Sequence, residues 1–335
     1  MALNIIKTGL MDSLQDSGRY GHAEAGINPG GVMDPYAASV ANFLVGNTRE
    51  EAVMELHFPA CQVLFNQPAL VAVCGADFSA SVHDEPMPCW QPVMVKRNSI
   101  LHFQKWKWGA RAYLAVQGGF CADRWLDSYS THLKAGAGGY NGRLIKKDDV
   151  MKLRNDIVNI CPAKQYIATD RYSRTLNWGV HEHAVYKNAS ELLVLPGPEW
   201  DILNEDSQKI FTGSPFTISK KSDRMGCLLN GASLQSDETN ELISTGVDYG
   251  TIQLLPNGQL MVLAADHQTT GGYPRIANVI GAHLPKLAQL PIEAEVHFTL
   301  TDIRTAEQLL FSQMRELKII ERSCLDRITQ LYARY

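Results

Sequence analysis

No stretch of this 335-residue chain approaches the roughly 18 consecutive apolar residues that a membrane span requires. The opening Met1-Ala2-Leu3-Asn4-Ile5-Ile6-Lys7 lacks the apolar core and small-residue cleavage site of a signal peptide. Positive charge is also short: the formal net charge is -4, and no basic stripe with interleaved aromatics argues for nucleic acid. The nearest approach, Lys105-Trp106-Lys107-Trp108, alternates as a half-exposed strand would. The seven cysteines (61, 74, 89, 121, 161, 227 and 324) are odd in number, scattered and never in a Cys-x-x-Cys pair. Free thiols in a reducing compartment account for that pattern, so a cytoplasmic protein is expected.

Several nucleotide, metal and nucleophile signatures are missing too. There is no Gly-x4-Gly-Lys-Ser/Thr loop, and Gly136 to Gly142 lacks both the terminal Lys-Ser/Thr and a preceding apolar strand. The dinucleotide fingerprint, the His-Glu-x-x-His helix and the Gly-x-Ser-x-Gly elbow are absent as well. His181 and His183 flank Glu182 as surface residues would, and no metal site is expected. Val150-Met151-Lys152-Leu153 lacks the second methionine of the Met-Lys-Met turn that carries biotin, so no covalent biotin is expected on this chain.

What is present is an ordinary globular balance, 45% apolar and 20% charged, in a chain long enough for two domains with their own cores. Asp34 as N-cap and Pro35 at the first helical position begin a helix through Ala37, Val40, Ala41 and Leu44, with Gly46 as its stop. Short apolar runs punctuated by turns then predict strands at Gln62–Phe65, Ala69–Val73, Pro92–Val95, Ile100–Phe103 and Ala112–Val116. A polar, weakly patterned stretch from Pro162 to Trp178 marks a junction. Strands are predicted again at Glu191–Leu195, Pro215–Ser219, Gly250–Leu255, Leu260–Ala265 and Ala294–Leu300. Asp302 caps a C-terminal helix with an apolar face of Ile303, Ala306, Leu310, Met314 and Leu317, and a further helical stretch runs from about Glu321 to Leu331. The fold class is therefore mainly β, with two β-rich domains, few helices and a C-terminal helix. The boundaries read as 1–165, 166–301 and a helical extension over 302–335.

Three polar clusters stand out. Asp16 and Arg19 precede the Gly30-Gly31 turn that feeds the helix at Asp34, where backbone amides can receive an anion. Ser222, Asp223, Arg224 and Gly226 form the second cluster, a faint echo of the first. The third is densest: Asp266-His267-Gln268-Thr269-Thr270-Gly271-Gly272-Tyr273-Pro274-Arg275 leaves a predicted strand as a loop. Its paired glycines permit positive φ or close approach of the backbone to a ligand. An amide, two hydroxyls, a phenol, an imidazole and a guanidinium surround them, a donor set suited to an anion or carbonyl. A structural salt bridge is the competing reading for each Asp–Arg pair.

Ordered motifs carry a family resemblance from about residue 5 to about residue 300. Gln15-Asp16-x-Gly18-Arg19-x-Gly21, Gly26 to Asp34, and Ala41 to Asn47 resemble the opening of the family of 5-oxoprolinase C-type subunits. That family is also known as the Kip-inhibitor antagonist or allophanate hydrolase subunit 2 group, within the biotin-dependent carboxyltransferase superfamily. Leu114 to Gly119, Ser128 to Thr131, Leu195 to Pro198, Ser222 to Gly226 and Gln268 to Pro274 fit it as well. Ser17, Gln117 and the Ser128-Tyr129-Ser130-Thr131 run depart from its usual pattern, the last by losing an arginine.

The resemblance implies cyclophilin-like barrel structure and kinship with the carboxyltransferase half of urea carboxylase. It implies a C-type subunit that works with A-type and B-type subunits and ATP, bound somewhere in that complex, to open the lactam 5-oxo-L-proline to L-glutamate. Two other activities are consistent with it: carboxyl transfer from carboxybiotin to urea or a related amide, and non-enzymatic binding of a kinase-inhibitor-like B-type subunit. On this reading Asp223, Arg224 and Gln268 are the candidate catalytic residues, with Asp223 orienting or handling a proton. Thr269, Thr270, Gly271, Gly272, Tyr273, Arg275, Asp16 and Arg19 are the candidate substrate-binding residues, Arg224 or Arg275 holding a carboxylate or phosphate.

Overall fold

The computed structural model describes residues 2–154, 171–181, 183–236 and 242–333. The expected junction at 165/166 lies outside them. Packing divides the chain into two units: Met1–Gly18, Asp34–Glu182 and Glu316–Tyr335 form the first, Arg19–Met33 and His183–Arg315 the second.

Among the described residues the first unit is built on twelve strands in chain order: β1 (Ala2–Lys7), β2 (Ser13–Gln15), β3 (Val53–Leu56), β4 (Gln62–Phe65), β5 (Ala69–Asp77), β6 (Ala80–Val82), β7 (Glu85–Pro86), β8 (Pro92–Val95), β9 (Ser99–Phe103), β10 (Trp108–Val116), β11 (Val150–Lys152) and β12 (Ser173–Thr175). They make two six-stranded sheets, ordered β11-β1-β4-β9-β6-β7 and β12-β8-β5-β10-β3-β2. Leu3, Ile5, Val63, Phe65 and Leu101 of the first sheet share one core with Leu14, Leu56, Val71, Val93 and Leu114 of the second. β4 alternates as a strand with one buried face should, whereas β5 is buried almost throughout. The reason is α1 (Pro35–Leu44), which packs on β5 and β10 and covers their second face. The expected cap holds: Asp34 Oδ1 accepts from Ala37 N at 2.9 Å, and Gly46 takes φ 76°. The Lys105–Trp108 run is a correction, because only Trp108 belongs to a strand. Trp106 instead donates Nε1 to Gly109 O at 2.7 Å, and Lys107 pairs with Asp77 at 2.9 Å.

The second unit holds β13 (Glu191–Pro196), β14 (Phe216–Ile218), β15 (Gly226–Asn230), β16 (Thr245–Gly246), β17 (Thr251–Leu254), β18 (Leu260–Leu263), β19 (Thr270–Gly271), β20 (Arg275–Val279) and β21 (Glu295–Leu300). Seven of these close a barrel, β13-β20-β17-β18-β15-β14-β21, while β16 and β19 form a separate two-stranded ribbon. Alternation decides what faces inward. Leu192, Val194, Ile252, Leu254, Leu260, Val262, Ile276, Val296 and Phe298 fill the barrel core. Their neighbours Thr251 and Gln253 point to the outer side of the wall, yet both are buried, at 3% and 1% exposure.

The C-terminal helix, α2 (Ile303–Ala333), is one uninterrupted element of 31 residues rather than two stretches. Neither Gly nor Pro occurs between Ile303 and Ala333, so nothing in the chain stops it. Its expected apolar face needs correcting as well. Ala306 and Leu317 are buried, but Ile303, Leu310 and Met314 are exposed at 67%, 37% and 42%. The buried positions run on instead through Cys324, Ile328 and Leu331. No helix among the described residues is long and apolar enough to cross a membrane.

Candidate functional site

Asp266 begins the loop of interest three residues after β18 ends at Leu263. Its backbone N–H donates to Arg224 O at 2.8 Å, and its carboxylate accepts Arg224 Nε at 2.8 Å and Nη2 at 3.1 Å. Arg224 Nη2 also donates to Gly31 O at 2.5 Å, which joins the two echoing turns noted in the sequence. Asn28 donates Nδ2 to Asp266 O at 2.7 Å. Arg19, only 2% exposed, packs against Gly30. A Cβ at Gly30 would stand 2.8 Å from Arg19 Nη1 and 3.5 Å from Asp266 Oδ1. So Gly30, at φ 61°, serves both as a left-handed turn residue and as a site of close approach. Two buried guanidiniums thus gather near one carboxylate.

The far end of the loop is pinned in the same way. Arg275 donates Nε to Glu199 Oε2 at 3.0 Å, Nη2 to Oε1 at 2.7 Å, and its backbone N to Oε2 at 2.8 Å. This fork holds the Glu199 carboxyl below its ordinary pKa, although partial burial pulls the other way. Arg275 Nη1 reaches Gly246 O at 3.2 Å. β16 and β19 pair Thr245 with Gly271 and Gly246 with Thr270. The loop is therefore braced at both ends by two-pronged ion pairs and in the middle by a ribbon. Arginine suits both ends because its planar fork matches a carboxylate.

Between the braces the donors face outward. Gln268, Thr270, Gly272 and Tyr273 are exposed and Thr269 is half-buried. Gly271 and Gly272 do not take positive φ. Close approach is the reason for the first: a Cβ on Gly271 would sit 2.4 Å from Gln253 Nε2 and 3.2 Å from Gln268 Nε2. Gln253 Nε2 is buried and has no acceptor among the described residues.

The remaining expected residues fall in different places. Asp223 is exposed, and its Oδ1 accepts from Met225 N at 2.7 Å and Gly226 N at 3.2 Å, ordering the turn that delivers Arg224. Asp16 belongs to the first unit and Arg19 to the second. Asp16 Oδ1 accepts from Ser128 Oγ and Ser130 Oγ, both at 2.6 Å, and from Gly18 N at 2.8 Å, while Oδ2 accepts from Tyr129 N at 2.6 Å. The Ser128–Thr131 run that departs from the family pattern is thus the socket for Asp16. At the start of α1 the first turn is capped by Asp34 itself.

Sequence reasoning missed Glu199 and Gln253, and read Asp266 only as the loop's first residue. Glu199 follows the Leu195-Pro196-Gly197-Pro198 motif, a signal that could have drawn attention to it. Gln253 looks like any polar residue alternating in a strand. No group of three or more His, Cys, Asp or Glu among the described residues could hold a metal ion.

Comparison with known proteins agrees with the residue-level resemblance. The pattern of the carboxyltransferase domain, subdomain A and B, matches residues 25–300. The chain is 34% identical to the C-type 5-oxoprolinase subunit of Escherichia coli over 93% of its own length and 96% of that protein. It is 31% identical to the Haemophilus influenzae counterpart over 92% and 94%. Among solved structures, Kluyveromyces lactis urea carboxylase superposes with a TM-score of 0.83 at 25% identity, over 97% of this chain but only 29% of that one. The chain therefore belongs to the carboxyltransferase-domain family, subdomains A and B, as a relative of the C-type 5-oxoprolinase subunits over nearly its whole length.

Proposed function

We propose that this chain is the C-type subunit of an ATP-dependent 5-oxoprolinase, which opens 5-oxo-L-proline to L-glutamate together with A-type and B-type subunits. The carrying observation is the two-way match to the E. coli protein, 93% of one chain against 96% of the other. Opening the lactam without coupling is poorly favoured, and ATP gives the complex a means of activating the amide oxygen. This chain's part is electrostatic. Gln268, Thr269, Thr270 and Tyr273 present hydroxyl and amide donors to a carbonyl or carboxylate oxygen, and the Gly272 backbone lies open beside them. Arg19 and Arg224 lend the loop's origin a positive background for an anionic substrate. Because Arg224 and Arg275 are each committed to a carboxylate, their work here is to hold the loop, and Asp223 positions Arg224.

The test mixes the purified chain with its cognate A-type and B-type subunits, ATP and 5-oxo-L-proline, and follows glutamate. ATP-dependent glutamate that disappears when this chain is omitted supports the reading. A stable complex with the B-type subunit that yields no glutamate overturns it, leaving carboxyl transfer or a purely binding role. The family pattern and the likeness to urea carboxylase favour carboxyl transfer as the second reading.

A further inference from the structure

We propose that the first unit carries a binding site for a small polyphosphate anion, on the face formed by β12, the residues after it and the last turns of α2. Two cavities, of about 290 Å³ and about 540 Å³, adjoin there and share Arg174 and Thr175 in their walls. The smaller is lined by Arg174, Asn177, Trp178, Arg327 and Gln330. The larger adds Arg171, Ser173 and Glu85. All of these residues belong to the first unit, whereas the donor loop at 266–275 belongs to the second.

The lining chemistry selects the ligand. Three guanidiniums are spread along the two cavities, and among the described residues no carboxylate lines the smaller one. The single acid among the described lining residues, Glu85 in the larger cavity, accepts a weak hydrogen bond from Ser173 Oγ at 3.4 Å. Guanidinium forks bind phosphate oxygens in pairs, and several forks in a row fit several phosphates better than one. Trp178 supplies a second, independent observation: its indole Nε1 is buried and has no acceptor among the described residues. An indole N–H can only donate, so a phosphate oxygen in the smaller cavity would satisfy it. The chain as a whole carries -4, so this concentration of positive charge is local and creates a focused field. Among the described residues only Leu176, Trp178 and Leu331 give the smaller cavity apolar side-chain surface, which disfavours an uncharged apolar ligand. The anion could be free polyphosphate or the phosphate tail of a nucleotide, because both offer the same groups to the arginines.

Isothermal titration of the full chain at low salt with tripolyphosphate, with ATP and with glutamate tests the proposal. Saturable one-to-one binding of tripolyphosphate is expected, weakening as salt is raised. ATP binding equally well would show that only the phosphate tail is held, and tighter ATP binding would add a contact to the base or ribose. The double variant R174Q/R327Q should lose at least about tenfold in affinity, since each lost charge-assisted bond is worth more than a neutral one. Lys209→Gln, on an exposed helix of the other unit, should change nothing. Far-UV circular dichroism checks that the variants fold. If the double variant does not, Gln330→Glu places a carboxylate at an exposed helix position in the cavity wall and should produce the same loss. Absence of saturable tripolyphosphate binding, unchanged affinity in the folded variants, or glutamate binding as tightly would overturn the proposal.

Discussion

Gly271 shows how much a single residue can decide. The space its side chain would take is filled by the Gln253 carboxamide, 2.4 Å from an added Cβ. Gln253 is held in a barrel strand and is 1% exposed, so it cannot simply swing into solvent. Gly271→Ala should therefore destabilise the protein by about 1–3 kcal/mol, the cost of overpacking a filled site. Chemical denaturation would measure this, and Gln253→Ala in the same chain should restore part of the loss. A midpoint unchanged by Gly271→Ala would disprove the close approach. Asp266→Ala acts through charge instead. It strips Arg224, 5% exposed, of a two-pronged partner, and should cost about 3 kcal/mol by leaving a buried charge uncompensated. The loop's donor set was legible in its residue types. Its supports were not. Gln253 and Glu199 come from distant parts of the chain, and a polar residue's side of a sheet depends on what later covers that face.

At the scale of elements, several short strands were readable because their apolar runs are bounded by turn residues. The C-terminal helix was read less well. Its apolar residues cover more than one face, and only packing selects Leu317, Cys324, Ile328 and Leu331 over Ile303 and Met314. The turn before the helix Leu284–Gln289 carries a pH dependence that no sequence pattern announces. His283 Nδ1 accepts from Leu193 N at 2.9 Å, tying that turn to β13, and the acceptor role requires a neutral ring. Burial, aided by Lys286, pushes its pKa down to about 4 from 6.5. Between those values the unfolded chain binds more protons than the folded one, so this residue's contribution falls as pH drops from 6.5 to 4. With a half-buried ring the loss is roughly 1–2 kcal/mol. Asp12 works in the opposite sense in the other unit. Burial pushes its carboxyl up to about 6 from 3.8, so its contribution falls as pH rises through that range. The two slopes offset each other in the whole-chain profile. Comparison with His283→Leu isolates the histidine: the variant should be less stable at neutral pH, and its deficit should shrink toward pH 4. A deficit constant across that range would show that protonation of His283 has no part in it.

For the molecule as a whole, the family assignment leaves two chemistries that use ATP differently, and they can be separated without altering a residue. In carboxyl transfer, ATP is spent elsewhere to load bicarbonate onto biotin, and the chain receives the carboxyl group from that carrier. In lactam opening, ATP acts on the substrate's own amide oxygen, and neither biotin nor bicarbonate takes part. The role proposed for the loop at 266–275 would suit either reaction, because donors to a carbonyl oxygen serve a lactam, a urea or a carboxybiotin alike. That proposed role concerns the class of transition state, an oxygen gaining negative charge, rather than the identity of the acyl group. The reconstituted complex should turn over 5-oxo-L-proline at a rate unaffected by avidin and by removal of bicarbonate. Loss of turnover on adding avidin, or a strict need for bicarbonate, would reject lactam opening by direct amide activation. It would place this chain instead beside its urea-carboxylase relatives in function as well as in fold.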